Sequence, residues 1–118
     1  MNKYFIDTYA IIEIIKGNQT YKKYIEYELF TSILNLYELY FNILKKYGKE
    51  KAKEYFFQFY DLIIPIKNDY LFIASEFKLK NKVSYVDALG YVIASEKGLK
   101  FLTGDNDFKS IKNVEFVK

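Results

Sequence analysis

The chain contains no histidine, no cysteine and no tryptophan, and all 18 of its basic residues are lysine. Without imidazole and thiol groups it cannot form a Ser-His-Asp triad, a cysteine nucleophile, a disulfide or a zinc site of histidine and cysteine ligands. Any catalytic chemistry must therefore use carboxylates, hydroxyls, lysines or a metal ion held by oxygen atoms. Oxygen ligands favour hard cations such as Mg²⁺ or Mn²⁺.

Long apolar runs are also missing. No segment approaches the roughly 20 residues that span a bilayer, and the N-terminus shows no signal-peptide pattern. The 51% hydrophobic and 20% aromatic content of the 118 residues indicates a packed globular protein. We therefore expect a single cytoplasmic domain over residues 1–118 that does not bind membranes. The formal net charge of +3 permits an anionic partner without requiring one.

Short apolar segments alternate with helical patterns along the chain. We predict strands at 3–6, 29–31, 62–66, 100–103 and 114–117. We predict helices at 8–15, 19–28, 33–47, 50–60, 68–79 and 84–97. This alternation is typical of an α/β fold with a central parallel sheet of four to five short strands flanked by helices.

Four acidic residues belong to segments that meet the carboxyl edge of such a sheet. Asp7 follows the first strand directly, and Asp105 lies two residues beyond the strand at 100–103. Glu38 lies about one turn into a helix, and Asp87 lies in the first turn of another. Ligands bind at this edge in open α/β sheets. Crowded carboxylates repel one another, whereas a divalent ion would relieve that repulsion and activate water for attack on a phosphodiester.

Each of these acids also has an ordinary structural explanation. Asp7 can simply cap the helix that follows it, and Ser84 with Asp87 forms a near capping box. Asp105 and Asp107 occupy positions that are common in turns. These explanations remain open at the level of sequence.

A narrow polar stripe runs along the helix at 33–47, whose other positions are mostly apolar. The stripe includes Asn35, Glu38, Asn42 and Lys45. It is either the solvated face of the helix or the lining of a polar cleft. In the second case Asn35, Asn42 and Lys45 are weak candidates for substrate contacts, together with Lys109 after the turn at 104–108.

Four short motifs occur in order along the chain: Phe5-Ile6-Asp7-Thr8, Leu36-Tyr37-Glu38-Leu39, Ser84-Tyr85-Val86-Asp87-Ala88-Leu89 and Thr103-Gly104-Asp105-Asn106-Asp107-Phe108. With these motifs the chain resembles PIN-domain nucleases, most closely the small VapC-type ribonucleases that act as toxins in prokaryotic type II toxin–antitoxin pairs. The resemblance covers essentially the whole chain. It implies a three-layer PIN-like fold.

The resemblance also implies which residues form the site. The acidic quartet of catalytic residues and metal ligands would be Asp7, Glu38, Asp87 and Asp105, with Asp107 as a possible fifth ligand. The supporting hydroxyl groups would come from Thr8, Ser84 and Thr103. Two positions depart from the family pattern: Gly104 stands where many relatives have arginine, and Tyr91 is bulkier than the residue often found there.

The activity implied by this resemblance is Mg²⁺- or Mn²⁺-dependent hydrolysis of RNA phosphodiester bonds. Single-stranded or looped RNA is the expected substrate, because tyrosine and phenylalanine can stack on exposed bases. The implied partners are a small antitoxin and a second copy of the chain. The tyrosine-rich segments 21–27 and 37–47 suit a homodimer interface, since tyrosine is enriched at interfaces.

Two other classes of function are compatible with an α/β fold. The first is a catalytically silent PIN-like module that binds RNA or assembles with protein. The second is a phosphoaspartyl enzyme that uses Asp7, but Tyr9 occupies the position where such phosphatases usually carry a second acid. The intact quartet favours the nuclease over both.

Overall fold

A four-stranded parallel sheet lies at the centre of residues 2–118, the part of the chain that the computed structural model describes. Its strands are Lys3–Ile6 (β1), Glu28–Phe30 (β2), Lys100–Thr103 (β3) and Val114–Phe116 (β4), in the spatial order β2-β1-β3-β4. The chain passes from β1 to β2 on one side and returns to β3 on the other. The strand order therefore reverses between β1 and β3, where ligand sites of such sheets lie. Met1, which the predicted domain includes, lies outside the described residues.

Helices connect the strands and cover both faces of the sheet. The α-helices are Thr8–Ile15 (α1), Ile33–Tyr47 (α2), Lys49–Gln58 (α3), Asn68–Lys80 (α4) and Tyr85–Glu96 (α5). Shorter 3₁₀ helices occupy Gln19–Glu26, Tyr60–Leu62 and Asn106–Phe108. No helix within residues 2–118 is long and apolar enough to cross a membrane.

The segment predicted as a helix at 19–28 is a 3₁₀ helix that ends at Glu26, and Glu28 already belongs to β2. Tyr21 and Tyr24 are three residues apart, and the three-residue turn of a 3₁₀ helix places both rings on one face. Both side chains are buried in the core. They are therefore unavailable for the subunit interface to which we had assigned this segment.

The strand predicted at 62–66 is wrong. Only Ile63 pairs, in an isolated bridge with Thr31 beyond the end of β2. The hydrogen bonds are Thr31 N to Leu62 O and Ile64 N to Thr31 O, both 2.9 Å. Pro65 follows at once and has no N–H to continue a ladder, so pairing stops there.

Both faces of the two central strands are buried, which gives the molecule three layers. Phe5 and Phe101 point to one face, where their rings stack at 5.8 Å beneath α4 and α5. Ile6 and Leu102 point to the other face, toward α1 and α2. This alternation is the two-residue period of a strand. It confirms the predicted α/β fold, with four strands.

Gly90 lets α5 lie directly against the sheet. A Cβ atom at this position would be 2.8 Å from Cε1 of Phe5 and 3.3 Å from Cε1 of Phe101. We predict that Gly90→Ala lowers the free energy of unfolding by about 1 to 3 kcal/mol, the usual cost of overpacking a core. Urea denaturation measures this change. Helix propensity alone would raise stability by up to about 1 kcal/mol, so an unchanged or higher value would contradict the close contact.

Candidate active site

Asp7 is the first residue after β1, and both of its carboxylate oxygens are held. Its Oδ1 accepts a hydrogen bond from the Ala10 amide at 2.9 Å, which makes Asp7 the N-cap of α1. Its Oδ2 accepts a hydrogen bond from the Thr103 hydroxyl at 2.5 Å. The pairing of Ile6 with Leu102 in the sheet brings these two side chains together, because Asp7 directly follows Ile6 and Thr103 directly follows Leu102.

The Asp7 carboxyl is only 2% exposed, and this isolation changes its acidity. Burial raises the pKa of Asp7 to about 7, because a charge is poorly solvated there. The hydrogen bonds from Thr103 and Ala10 oppose this rise, and the nearby charges of Asp87 and Asp105 add to it. Three of the four predicted acids therefore influence one another electrostatically.

Glu38, in α2, is held by a chain of polar side chains that starts at the N-cap of its own helix. The Thr8 hydroxyl donates to Oε1 of Glu38 at 2.7 Å and accepts from Nδ2 of Asn35 at 3.1 Å. The Ser32 hydroxyl donates to Oδ1 of Asn35 at 2.7 Å, which fixes the orientation of that amide. Because Asn35 donates to Thr8, the Thr8 proton is directed toward the Glu38 carboxylate.

This arrangement revises two expectations from the sequence. Asn35 is completely buried, so the structure gives it a supporting position behind Glu38 in place of the predicted contact with substrate. Ser32, which we had not considered, begins the same chain of hydrogen bonds. Its only signal in the sequence was a serine placed directly before an apolar helix, which is an N-cap pattern.

Asp87 lies in the first turn of α5, half-buried and close to the other acids. Its amide donates to the hydroxyl of Ser84, the N-cap, at 3.1 Å. Burial raises the pKa of Asp87 to about 6. A separate interaction of the Ser84 hydroxyl with the Asp87 carboxyl opposes the rise in pKa, whereas the charges of Asp105, Glu38 and Asp107 reinforce it.

Asp105 and Asp107 lie in the turn after β3. The Asp105 amide donates to Oγ1 of Thr103 at 3.0 Å, and Oδ1 of Asp105 accepts from the Asp107 amide at 3.0 Å. This second bond caps the 3₁₀ helix Asn106–Phe108. The Asp107 side chain is exposed, while Asp105 is partly buried.

The two departures from the family pattern both have structural reasons. A Cβ atom at Gly104 would overlap the Tyr9 ring and the Val117 carbonyl, so the turn after β3 has no room for a side chain there. Tyr91 is buried in the core, and its hydroxyl donates to the Lys112 carbonyl at 2.7 Å. Its ring stacks on Phe77 at 4.5 Å, so its bulk is used in packing.

The three remaining candidates are Asn42 and Lys45 on α2, and Lys109 directly after the 3₁₀ helix Asn106–Phe108. Asn42 and Lys45 line a cavity of about 600 Å³ between α1, α2 and α3. Lys109 is exposed, with its ammonium group 6.0 Å from the centre of the Phe116 ring. None of these three is hydrogen-bonded to the quartet in the described part of the chain.

The donor set suits a hard divalent cation, because every candidate ligand is a carboxylate or hydroxyl oxygen. Burial is the main cause of the raised pKa values of Asp7 and Asp87, and the charges of neighbouring carboxylates add to the rise. Across residues 2–118, however, no group of three or more acidic side chains is placed to hold a metal ion as it stands. Ligation by the full quartet would therefore require some of the partly exposed side chains to move.

Comparison with known proteins supports one family. The sequence matches the PIN domain family over residues 4–114. No curated protein matches the sequence.

Several solved structures share the fold. A toxin–antitoxin complex from Klebsiella pneumoniae has a TM-score of 0.77 at 21% identity, covering 95% of both chains. The sarcin–ricin loop cleaving toxin VapC20 of Mycobacterium tuberculosis has a TM-score of 0.76 at 20% identity, covering 97% of this chain and 96% of that one. VapBC2 from Rickettsia felis, bound to a DNA fragment from its promoter, has a TM-score of 0.74 at 19% identity, covering 98% and 97%.

The buried carboxyl of Asp7 generates a prediction about stability and pH. The group is neutral in the folded and unfolded chain below its ordinary pKa of 3.8, but the folded chain must bury a charge as the pH rises through about 7. Stability should therefore fall as the pH rises from 3.8 to about 7. Because Asp7→Asn removes the charge, we predict that the variant is more stable than the wild type at pH 8 in EDTA, on the order of 2 to 4 kcal/mol.

Denaturation of both proteins between pH 4 and pH 8 tests this prediction. The expected result is a difference in unfolding free energy that grows with pH and levels off above pH 7. Asp61→Asn, on the exposed 3₁₀ helix Tyr60–Leu62, serves as the matched control and should show no such trend. Parallel curves for the wild type and Asp7→Asn would show that the Asp7 carboxyl titrates as it does in the unfolded chain.

Proposed function

Because the chain belongs to the PIN domain family, we propose that it is a Mg²⁺- or Mn²⁺-dependent endoribonuclease that hydrolyses RNA phosphodiester bonds. The observation that carries this proposal is the buried Asp7 carboxylate at the carboxyl end of β1. It is held by Thr103 and influenced by the charges of Asp87 and Asp105. Burying a carboxylate among other acids lowers the stability of the fold. Such unfavourable groups cluster at functional sites, and a cation-dependent reaction would use this one.

The proposed roles follow from the hydrogen bonds. Asp7 would be the fixed ligand, because Thr103 and the Ala10 amide hold its two oxygens. Glu38 would be oriented by the Thr8 proton, while Asp87 and Asp105 would come to the cation from the start of α5 and the turn after β3. Asp107, more exposed than Asp105, would take part only from the rim of the site.

A divalent ion bound by Asp7, Glu38, Asp87 and Asp105 would supply water activation and compensate the charge that grows on the phosphodiester. The lack of histidine fits this chemistry. Cleavage through the RNA 2′-hydroxyl usually uses imidazole groups as acid and base, and the chain has none. Thr8 and Thr103 would hold the carboxylates of Glu38 and Asp7 in position. The exposed lysines would attract the RNA backbone.

We further propose that the protein is the toxin of a prokaryotic toxin–antitoxin pair, within the cytoplasm. The support is the similarity in fold to toxin–antitoxin complexes from Klebsiella pneumoniae and Rickettsia felis. Residues 1–118 would then form one PIN domain that binds a small antitoxin protein.

The cavity between α1, α2 and α3 is a suitable docking groove for the antitoxin. Its floor is apolar, with Ile12, Ile15 and Ile43. Its rim carries four lysines, Lys16, Lys45, Lys46 and Lys51, and none of the described residues that line it is acidic. An amphipathic helix with an acidic border has the complementary surface. The antitoxin would therefore present such a helix.

A homodimer is also part of the proposal. Leu71 and Phe72 on α4 are largely exposed, as is Leu79 near the end of the same helix. Exposed apolar patches of this kind mark interaction surfaces in soluble proteins. Light scattering on the purified protein tests the dimer, and a monomer at micromolar concentration would refute it.

The metal-dependent reaction gives a direct prediction. We expect Asp7→Asn and Asp87→Asn each to lower kcat for RNA cleavage by at least about 100-fold, because loss of groups that merely support a metal ligand costs about 10- to 100-fold. EDTA should abolish cleavage, and Mg²⁺ or Mn²⁺ should restore it. The measurement is the rate at which a labelled single-stranded RNA is cut.

Two exposed acids provide matched controls. Asp61→Asn and Asp69→Asn lie outside the proposed quartet and should leave the rate unchanged. Undiminished cleavage by the Asp7 or Asp87 variant would refute the site. RNA binding without cleavage by the wild type would indicate the catalytically silent PIN-like module.

The docking groove gives a separate prediction. We expect the double variant Lys46→Glu and Lys51→Glu to weaken binding of the small protein encoded by the adjacent open reading frame by at least about 10-fold, because like charges would face its acidic border. Calorimetry measures this affinity. Lys22→Glu, on the exposed face of the 3₁₀ helix Gln19–Glu26, is the control. Equal affinities in all three proteins would place the antitoxin elsewhere.

A further inference from the structure

Two large aromatic side chains stand exposed beside the proposed active site. Tyr37 is 69% exposed and Phe41 is 56% exposed, and both belong to α2. Because they are four residues apart, their side chains are neighbours on one face of the helix. Together with Glu38 they line a pocket of about 300 Å³.

The pocket is continuous with the quartet through Glu38. On the inner side, the Thr8 hydroxyl donates a hydrogen bond to Oε1 of Glu38 at 2.7 Å. On the outer side, the Glu38 side chain forms the polar wall of the pocket. A group bound between the two aromatic rings would therefore lie directly beside a proposed catalytic carboxylate. The proposed mechanism gives these two rings no role.

Lys45 places a positive charge one helical turn beyond Phe41. The Lys45 ammonium lies 5.1 Å from the centre of the Phe41 ring, which is a cation–π distance. Along α2 the order is thus the Tyr37 ring, the Glu38 carboxylate, the Phe41 ring and the Lys45 ammonium. From Glu38 onward, this order matches the scissile phosphate, nucleobase and next phosphate of a single nucleic-acid strand. A cation held by the carboxylates would offset the negative charge of the first phosphate.

We propose that Tyr37 and Phe41 form a stacking subsite for the nucleobase adjacent to the scissile phosphate, and that Lys45 binds the phosphate that follows. This inference rests on the proposed function, which it makes more specific. Every base has a π face, so the subsite accepts any base but requires one that is unstacked. The substrate class is therefore single-stranded or looped RNA, because a base inside a helix is not free to enter.

Substitution by leucine tests the stacking, because it keeps apolar bulk and removes the ring. Base stacking on an aromatic side chain contributes about 1 to 3 kcal/mol, so we expect Tyr37→Leu and Phe41→Leu each to raise KM for single-stranded RNA by about 5- to 150-fold. The value of kcat should change less than about twofold, and Tyr37→Trp should restore KM. Phe57→Leu, on α3 and 64% exposed in the wild type, is the matched control.

The substrate provides the complementary change. An RNA with an abasic nucleotide next to the cleavage point should lose the same factor in the wild type. The abasic change should cost the Tyr37→Leu, Phe41→Leu double variant almost nothing further, since the ring and its base are then both absent. Independent, multiplicative losses would show that base and rings do not meet, which would overturn the proposal.

Binding measurements separate this proposal from the proposed function. Anisotropy of a labelled RNA can be followed on Asp87→Asn protein, with and without the leucine substitutions, so that no cleavage is needed. If the wild type does not cut RNA but the leucine variants still bind about 5- to 150-fold more weakly, the nuclease fails and the subsite stands. If the wild type cuts RNA and the leucine variants match it, the subsite fails alone. A change in oligomeric state with unchanged RNA affinity would assign the rings to a protein interface and also refute it.

Discussion

The hydrogen bond from Thr103 to Asp7 is the contact on which the rest of the site depends. It joins the ends of β1 and β3, the two strands between which the order of the sheet reverses. The same Asp7 caps α1, and the same Thr103 hydroxyl accepts the amide of Asp105. One buried pair thus fixes a helix start, a strand register and the turn that carries the next acid.

The acids proposed for the site also have structural roles, which the sequence offered as alternatives to a catalytic role. Asp7 caps α1, Asp87 lies in the turn capped by Ser84, and Asp105 caps the 3₁₀ helix that follows β3. Each carboxylate oxygen has two lone pairs, so a capping hydrogen bond leaves capacity to accept a further ligand. Local folding signals at the ends of strands and helices therefore also bring these acids near enough to influence one another's pKa.

Much of the fold could be read from the sequence because its strongest periodic segments match the final elements. The bounds of β1, α2 and β3 agree with prediction residue for residue. The errors occur where tertiary contacts decide. The three-residue spacing of Tyr21 and Tyr24 selects a 3₁₀ helix, and Pro65 reduces an apolar strand pattern to a single bridge.

The sequence predicts acids at one edge of the sheet, but it does not predict the atoms that support them. Asn35 was predicted in a polar stripe that is either solvated or lines a cleft, because helical periodicity cannot show that Asn35 is buried between Thr8 and Ser32. The exposure of Tyr37 and Phe41 is compatible with the prediction that segment 37–47 forms an interface, but the sequence does not show which partner they would contact. Both features depend on the orientation of α2 about its own axis, which is determined by its packing against α1.

The sheet order also has a consequence for how quickly the protein matures. Asp7 and Thr103 are 96 positions apart, and Thr8 and Glu38 are 30 apart, yet each pair must meet. Closing such long loops slows folding relative to helices that contact their neighbours. A newly made chain therefore passes through a period in which its helices exist without an assembled cleft. Because β1 leads into Asp7 and β3 ends at Thr103, a fragment that lacks either strand would lack the contact that joins the two parts of the proposed site.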